Sequence, residues 1–180
     1  MPVFLLLVAF GAAQAFAQQS EMPLSSPDHS HSLFTTDPWK LRIEDVRTHE
    51  RKLVVEGDRP AAGWSPDSAA FFVNYNVASD LALSYLYTAA TLDRIDVRDR
   101  IVHSDPHAGR FAGDHDYFSA VSWIDVRHVV VSFKGHTLTH SGNTLTRPLV
   151  CFDLRYRIGL DGSVERLSER TGPASSRLCD

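Results

Sequence analysis

The sequence predicts an all-β protein, mostly antiparallel, in which two similar sheets pack into one compact domain. Three observations predict this class: short segments that alternate apolar and polar residues, turn signals between those segments, and two tryptophan-led stretches that resemble each other. The chain has 180 residues, of which 43% are hydrophobic, so it is long enough for one domain with its own core.

The N-terminal residues 1–17 have the form of an export signal. An unbroken apolar or small run from Val3 to Ala13 is followed by the small-x-small pattern Ala15-Phe16-Ala17. The run is shorter than the roughly 20 residues that a membrane-spanning helix needs. Because no Lys or Arg precedes Lys40, either an upstream basic stretch is missing or the α-amino group supplies the positive end; a buried N-terminal helix is the alternative. We therefore expect a secreted or periplasmic protein with no membrane span in the mature chain.

The rest of the chain divides by composition. Residues 18–38 are rich in Ser, Pro, Thr and Gln and show no periodicity, which predicts a flexible linker. A single β domain is expected over residues 39–170, followed by a C-terminal tail over residues 171–180.

The first half of the domain predicts a succession of short strands. KLRIEDVRT alternates apolar and charged residues, and RKLVVEG gives a second short run that stops at Gly57. AAFFVNYN places Phe71, Val73 and Tyr75 on one face. LALSYLYT has large apolar residues at spacing two, which favours a strand over the helix that Ser79-Asp80 would cap. DRIDVRDRIVHS is interpreted as a strand that leads into a loop.

The second half contains one long loop and the clearest hairpin. HSDPHAGRFAGDHDYF has two glycines, a proline and many polar residues, which predicts the loop. Three consecutive valines in RHVVVSFKG suit a central strand that is covered on both faces. PLVCFDLRYRIGLDGSVERLS predicts a hairpin at Asp161-Gly162, because glycine tolerates the positive φ that tight turns need.

The stretch Trp64-Ser65-Pro66-Asp67 predicts a tight turn between two strands. Proline presets φ at the second turn position, and the side chains of Ser65 and Asp67 can bond to nearby backbone amides. A second copy is aligned when Trp123 is placed on Trp64, because in both a tryptophan precedes turn-compatible residues and then an apolar strand. The sequence therefore predicts a duplicated sheet unit.

RKLVVEGDRPAAGWSPDSAAFFVNY resembles the repeats of TolB-like β-propellers, in which Trp-Ser-Pro-Asp-Gly precedes an apolar strand. The resemblance covers residues 44–97 well and residues 119–168 less well; Ser68 replaces the glycine, and the second copy has Ile124-Asp125-Val126 instead. The resemblance implies two blade-like sheets, packed as a compact sandwich or a partial propeller. Two blades cannot close a ring, so an oligomer that completes one and a docking element for a partner are the alternatives.

The composition excludes one class of partner and leaves one candidate site for chemistry. A formal charge of −4 argues against nucleic acid as a partner, since such binding needs a basic surface. No catalytic motif and no cofactor motif is present. The loop carries a set of residues with metal-ligand chemistry, namely His103, Asp105, His107, Asp114, His115 and Asp116. A solvated loop is the plainer interpretation of these residues.

Smaller signals complete the sequence analysis. His136 and His140 would share a face if they lie on a strand, and Trp39, Trp64 and Trp123 would stack on sugars if exposed, although core positions are more usual for tryptophan. Cys151 and Cys179 form an even pair, which in an oxidising compartment suggests a disulfide, whereas a buried Cys151 with a loose Cys179 is the alternative.

The function expected from these observations is that of an exported, non-enzymatic β domain. Such a domain would bind another exported or envelope protein or serve as a scaffold. The alternative is a metal-binding protein or metal-dependent hydrolase that uses the loop at residues 103–116.

Overall fold

Four-stranded antiparallel meanders build the molecule. The computed structural model describes residues 23–37, 39–113, 115–137, 140–141, 144–145 and 150–173. Strands β1–β4 form one sheet, and eight further strands form a second sheet that contains two meanders. We call the meanders unit 1 (β1–β4), unit 2 (β5–β8) and unit 3 (β9, β10, β13 and β14). The all-β, mostly antiparallel class is thereby confirmed.

The strands of units 1 and 2 follow one another directly along the chain. Unit 1 consists of β1 (Leu24–Ser25), β2 (His31–Asp37), β3 (Lys40–Asp45) and β4 (Arg51–Glu56). Unit 2 consists of β5 (Asp58–Trp64), β6 (Ala70–Ala78), β7 (Leu81–Thr88) and β8 (Arg94–Asp96).

A helical insertion precedes unit 3. It consists of α1 (Val97–Ser104) and a 3-10 helix (Ala108–Arg110). Unit 3 consists of β9 (Asp116–Trp123), β10 (His128–Thr137), β13 (Val150–Gly159) and β14 (Val164–Pro173), and the short β11 (His140–Ser141) and β12 (Thr144–Leu145) pair with each other between β10 and β13.

The described part of the chain contains three meanders, whereas the sequence analysis expected two. The segment at residues 18–38, interpreted as a flexible linker, contains β1 and β2 from residue 24 onward. Its Ser26-Pro27-Asp28 turn joins these strands as Ser65-Pro66-Asp67 joins β5 and β6. The linker expectation was therefore wrong for this part, because a polar turn between two strands resembles a linker in composition. The expected domain end at residue 170 also shifts, since β14 continues to Pro173.

The segment after β8 is helical rather than a strand leading into a loop. The Asp96 side chain accepts a hydrogen bond from the Asp99 N–H at 3.1 Å and caps the helix. Val97 and Ile101, four residues apart, are buried on one side of α1. The loop expected at residues 103–116 therefore begins with the end of α1 and includes the 3-10 helix.

The core consists of two layers, one on either side of unit 2. Unit 1 packs its apolar face on one side of unit 2, where the buried residues are Leu33, Leu41, Ile43, Val55, Trp64, Phe71, Val73, Tyr75, Tyr85 and Tyr87. Unit 3 and α1 pack with the other side, chiefly through Phe72, Leu86, Val97, Ile101, Phe118, Val131, Phe133, Phe152, Leu154 and Tyr156. Because side chains of a strand alternate between faces, successive residues Phe71 and Phe72 belong to different layers.

The two outward faces of the assembly carry charged groups. On unit 1, the guanidinium of Arg51 lies 4.9 Å from the centroid of the Phe34 ring and its Nε lies 2.8 Å from a Glu44 carboxylate oxygen. On unit 3, Lys134 and Arg155 are exposed on β10 and β13. The buried apolar faces are therefore those between the units, and the outward faces carry charged side chains together with exposed apolar ones such as Leu53.

Candidate functional site

The first strands of the three units converge on a shared groove. At one end, a cavity of ≈ 430 Å³ lies between β1, β5, β9 and the turn after β1. Its lining residues are Leu24, Ser25, Ser26, Pro27, His29, Ala62, Gly63, Trp64, Phe72, Val121, Ser122 and Trp123. A single cavity thus brings together residues that are far apart in the sequence.

A second cavity of ≈ 440 Å³ continues the groove along β5 and β9. Its lining residues are Arg59, Ala61, Ala62, Phe72, Asn74, Tyr75, Asn76, Ala82, Ser119, Ala120 and Val121. Both cavities are lined by Ala62, Phe72 and Val121, so they form one elongated depression. We call it the inner-strand groove.

Two tryptophans tie the first strands to one another. The indole N–H of Trp64 donates to the carbonyl oxygen of Leu24 at 3.1 Å, and that of Trp123 donates to the carbonyl oxygen of Gly63 at 3.0 Å. Each tryptophan ends the first strand of its unit, and each acceptor lies on the first strand of the preceding unit. Trp64 and Trp123 therefore occupy equivalent settings, as the sequence repeat predicted.

The Asn74 side chain bonds to the backbone of β9 at the edge that faces unit 2. Its side-chain amide donates to the carbonyl oxygen of Ala120 at 2.8 Å and accepts from the N–H of the same residue at 2.8 Å. The two bonds reproduce what a neighbouring strand would supply to that residue. The side chain thus closes the β9 edge at the middle of the groove.

The β5–β6 turn has the predicted internal bonds and one that was not predicted. The Ser65 hydroxyl donates to Asp67 at 2.7 Å, and Asp67 accepts from the Ala69 N–H at 3.1 Å. Ser68 has φ 64°, the left-handed conformation that favours glycine. Its hydroxyl accepts from the Asp28 N–H at 3.0 Å. The serine at this position thus adds a bond between the turns of units 1 and 2.

The turn carboxylates are held in their ionised form by hydrogen bonds. The Ser26 hydroxyl, together with the backbone and hydroxyl of Ser30, keeps the pKa of Asp28 well below its ordinary value. The Ser65 hydroxyl, with the Ala69 N–H, lowers the pKa of Asp67 against a smaller opposing effect of burial. Both carboxylates act as structural acceptors in the turns beside the groove.

The predicted metal-ligand residues are dispersed among other partners. The His103 ring lies 2.7 Å from the Asp99 carbonyl oxygen, and the His107 ring lies 2.9 Å from Glu169. Asp105 accepts from the Tyr156 hydroxyl at 3.0 Å. In the described ranges, no group of three or more His, Cys, Asp or Glu side chains is placed to hold a metal ion.

The remaining members of that set lie elsewhere. The His115 ring stacks on His136, with centroids 4.1 Å apart. Asp116 is 1% exposed and accepts from the Gly113 N–H at 3.1 Å. Asp114 lies outside the described residues. Of the five described candidates, Asp105 and His107 are adjacent, since the Asp105 carboxylate accepts from the His107 N–H at 3.0 Å, and no three of them meet.

Three further expectations concern the cysteine pair, the tryptophans and His140. Cys151 is fully buried on β13, and Cys179 lies outside the described residues, so their disulfide stays a prediction. Trp64 is 9% exposed, as expected for a core position, whereas Trp39 is 55% exposed. The side chain of His140 lies outside the described residues.

The sequence analysis missed two features of the site. The Ser26-Pro27-Asp28 turn repeats the triplet at residue 65, and a search for that triplet would have identified unit 1. Asn74 is polar inside the apolar strand AAFFVNYN, which is a signal of a specific hydrogen-bonding role.

Comparison with known proteins gives distant structural similarity alone. No family model matches the chain, and no curated protein matches it. The fold is similar to part of the tricorn protease, with a TM-score of 0.48 and 8% identity, over 76% of this chain and 13% of that one. It is also similar to part of the S. cerevisiae core factor, with a TM-score of 0.35 and 9% identity, over 83% of this chain and 23% of that one. The chain therefore spans less than a quarter of the length of either protein.

None of the described helices is long and apolar enough to cross a membrane.

Proposed function

We propose that this chain is an exported, non-enzymatic domain of blade-like units, of the TolB-like kind, that binds another exported or envelope protein through the inner-strand groove. The observation that carries the proposal is the convergence of β1, β5 and β9 on one elongated, largely apolar depression. Grooves of this kind, with an apolar floor and a few polar groups, are typical of binding sites.

The chemistry of the groove supports binding rather than turnover. Both indole N–H groups bond to backbone carbonyls, and the Asn74 amide is occupied by Ala120. These polar groups fix the walls, and the half-buried Val121 and Trp123 side chains contribute apolar surface above the buried Phe72 ring. Export is supported by the apolar N-terminal segment with its small-x-small pattern.

A photo-crosslinking amino acid placed in the groove tests the proposal. Ser122 lines the groove on β9, so a crosslinker there is expected to capture a discrete partner in the cells that make the protein. Arg155 is exposed on the outward face of unit 3 and is the matched control position. The same adducts from both positions, or none from Ser122, would contradict the proposal.

A further inference from the structure

The strand β5 has one edge without a strand partner in the described part of the chain. It is the terminal strand of the eight-stranded sheet and pairs with β6 alone. That edge lies along the inner-strand groove, since Ala61 and Ala62 line one cavity and Ala62, Gly63 and Trp64 line the other. From Ala61 to Trp64, beyond Pro60, which has no N–H to donate, an edge of this kind is a template for one more strand.

The β5–β6 ladder identifies which backbone N–H and C=O groups of β5 can bond to an added strand. The Ser65 N–H donates to the Ala70 carbonyl oxygen at 2.8 Å, and the register pairs Gly63 with Phe72 and Ala62 with Val73. Because hydrogen-bonded and non-bonded pairs alternate in an antiparallel ladder, the N–H and C=O groups of Ala62 and Trp64 point away from β6 and toward the groove.

The side chains along this edge leave room for another backbone. Ala61, Ala62 and Gly63 are consecutive small residues on β5. A Cβ at Gly63 would lie 2.5 Å from a ring carbon of Phe72, so a larger residue there would displace the Phe72 ring. Small residues at an edge permit the close approach that strand pairing needs.

The cationic side chain of Arg59 lies at one end of the free β5 edge. Arg59 lines the groove, and its side chain is 83% exposed with its Nε 3.8 Å from Asp58. It has φ 50°, and the ladder to β6 is irregular between Asp58 and Ala61. A bulge of this kind redirects a side chain, and here it leaves a guanidinium that can pair with a carboxylate.

We propose that an extended segment of the partner protein pairs as an added strand with β5. The segment has small or apolar side chains against Phe72 and Val121 and a carboxylate that reaches Arg59. The proposal rests on the proposed function and deepens it, because it names the kind of partner segment that the groove accepts. On the facing strand β9, the Asn74 side chain already bonds both backbone groups of Ala120. The edge that can still pair with an added strand is therefore that of β5.

Peptide selection followed by backbone methylation tests strand pairing. Nine-residue randomised peptides displayed on phage are selected on the mature chain, and the best is synthesised as the probe. Methylation of alternate amide nitrogens is expected to weaken binding at least about fivefold, because each removes a ladder hydrogen bond, whereas the intervening amides tolerate it. Arg59→Gln is expected to weaken binding of an acidic peptide but not of its amide analogue, with Arg155→Gln as the matched control.

The outcomes separate the two proposals. A further variant, Ala62→Trp, fills the groove and reports whether the peptide binds there. If this variant blocks binding but no backbone methylation affects it, strand pairing is overturned and a protein-binding groove remains. Failure to select any groove-binding peptide would also overturn it, and crosslinks from Ser122 would then still support the proposed function. Absence of both peptides and crosslinks would remove both proposals. The methylation series alters the peptide alone, so it decides the question even if Ala62→Trp fails to fold.

Discussion

The indole N–H of Trp123 donates a hydrogen bond to the carbonyl oxygen of Gly63, 3.0 Å away. This bond joins the first strand of unit 3 to the first strand of unit 2, and Trp64 makes the same connection to Leu24 in unit 1 at 3.1 Å. The recurrence of one contact at both junctions explains why tryptophan ends two of the three first strands.

Replacement of Trp123 by phenylalanine removes the N–H and retains an aromatic ring. We expect Trp123→Phe to lower the free energy of unfolding by about 1 kcal/mol, the usual net worth of such a bond. Trp64→Phe should lose more, since Trp64 is more deeply buried and packs on Phe71 with centroids 5.0 Å apart, against 6.4 Å between Trp123 and Phe72. Urea unfolding measures both, and Trp39→Phe, at a 55% exposed position, is the control. Equal losses in all three variants would contradict the contact-based account.

The Asn74 amide should be worth more than a typical surface hydrogen bond. Asn74→Ala removes two bonds and leaves both backbone groups of Ala120, which is 3% exposed, without this partner. We expect a loss of about 2–3 kcal/mol. Asn76→Ala, two residues along the same strand, should change stability by less than about 0.5 kcal/mol. Similar effects of the two substitutions would show that the β9 edge does not depend on Asn74.

Two substitutions of Ser68, which has a left-handed φ, distinguish the effect of backbone strain on stability from the effect of its hydrogen bond. Ser68→Ala removes the bond to the Asp28 N–H and keeps φ 64°, whereas Ser68→Gly removes the bond and relieves the strain. The glycine variant should therefore be more stable than the alanine variant by about 1 kcal/mol.

His29 holds the matching position in the turn of unit 1, with φ 59°. Its side chain is exposed, so His29→Gly should raise stability by about 1 kcal/mol over the parent. Thermal unfolding of the three variants gives the order. A destabilised His29→Gly protein would mean that the imidazole contributes a contact there.

Acid should destabilise the turns. Hydrogen bonds lower the folded-state pKa of Asp28 and Asp67 below the ordinary value for an aspartate. A lowered pKa contributes stability that is present above the unfolded-state value and is lost as pH falls through the folded-state value. Stability should therefore decline below about pH 4, where unfolded aspartates bind protons.

The serine hydroxyls make that acid dependence testable. Ser26 is the largest cause of the lowered pKa of Asp28, and Ser65 is the largest cause for Asp67. The double variant Ser26→Ala, Ser65→Ala should show a smaller change in urea midpoint between pH 7 and pH 3 than the parent. An unchanged pH dependence would place the acid sensitivity elsewhere in the chain.

Zinc should not stabilise the protein. The described members of the loop set, among them His107 and Asp105, are engaged with Glu169 and Tyr156. We expect the melting temperature of chelator-treated protein to be unchanged by added zinc. A rise that grows with zinc concentration, together with metal in the purified protein, would favour the metal-binding alternative instead.

The sequence predicted the strands whose signals are local. The alternation in LALSYLYT, the Asp161-Gly162 turn and the Trp64-Ser65-Pro66-Asp67 turn correspond to β7, the β13–β14 hairpin and the β5–β6 turn. Helix α1 was missed because its eight residues carry little apolar periodicity, and packing of Val97 and Ile101 between the units decides its conformation.

The groove itself was not predictable from local patterns. It depends on the relative placement of three first strands, and contacts such as that of Asn74 with Ala120 join residues 46 positions apart. The geometry of these contacts depends on how the three units pack together, which the sequence of one segment does not predict.

The charged outward faces set a limit on growth of the assembly. Two copies stacked through these faces would have to remove water from the Arg51–Glu44 ion pair of one copy and from Lys134 and Arg155 of the other. This cost disfavours stacking of copies through their outward faces.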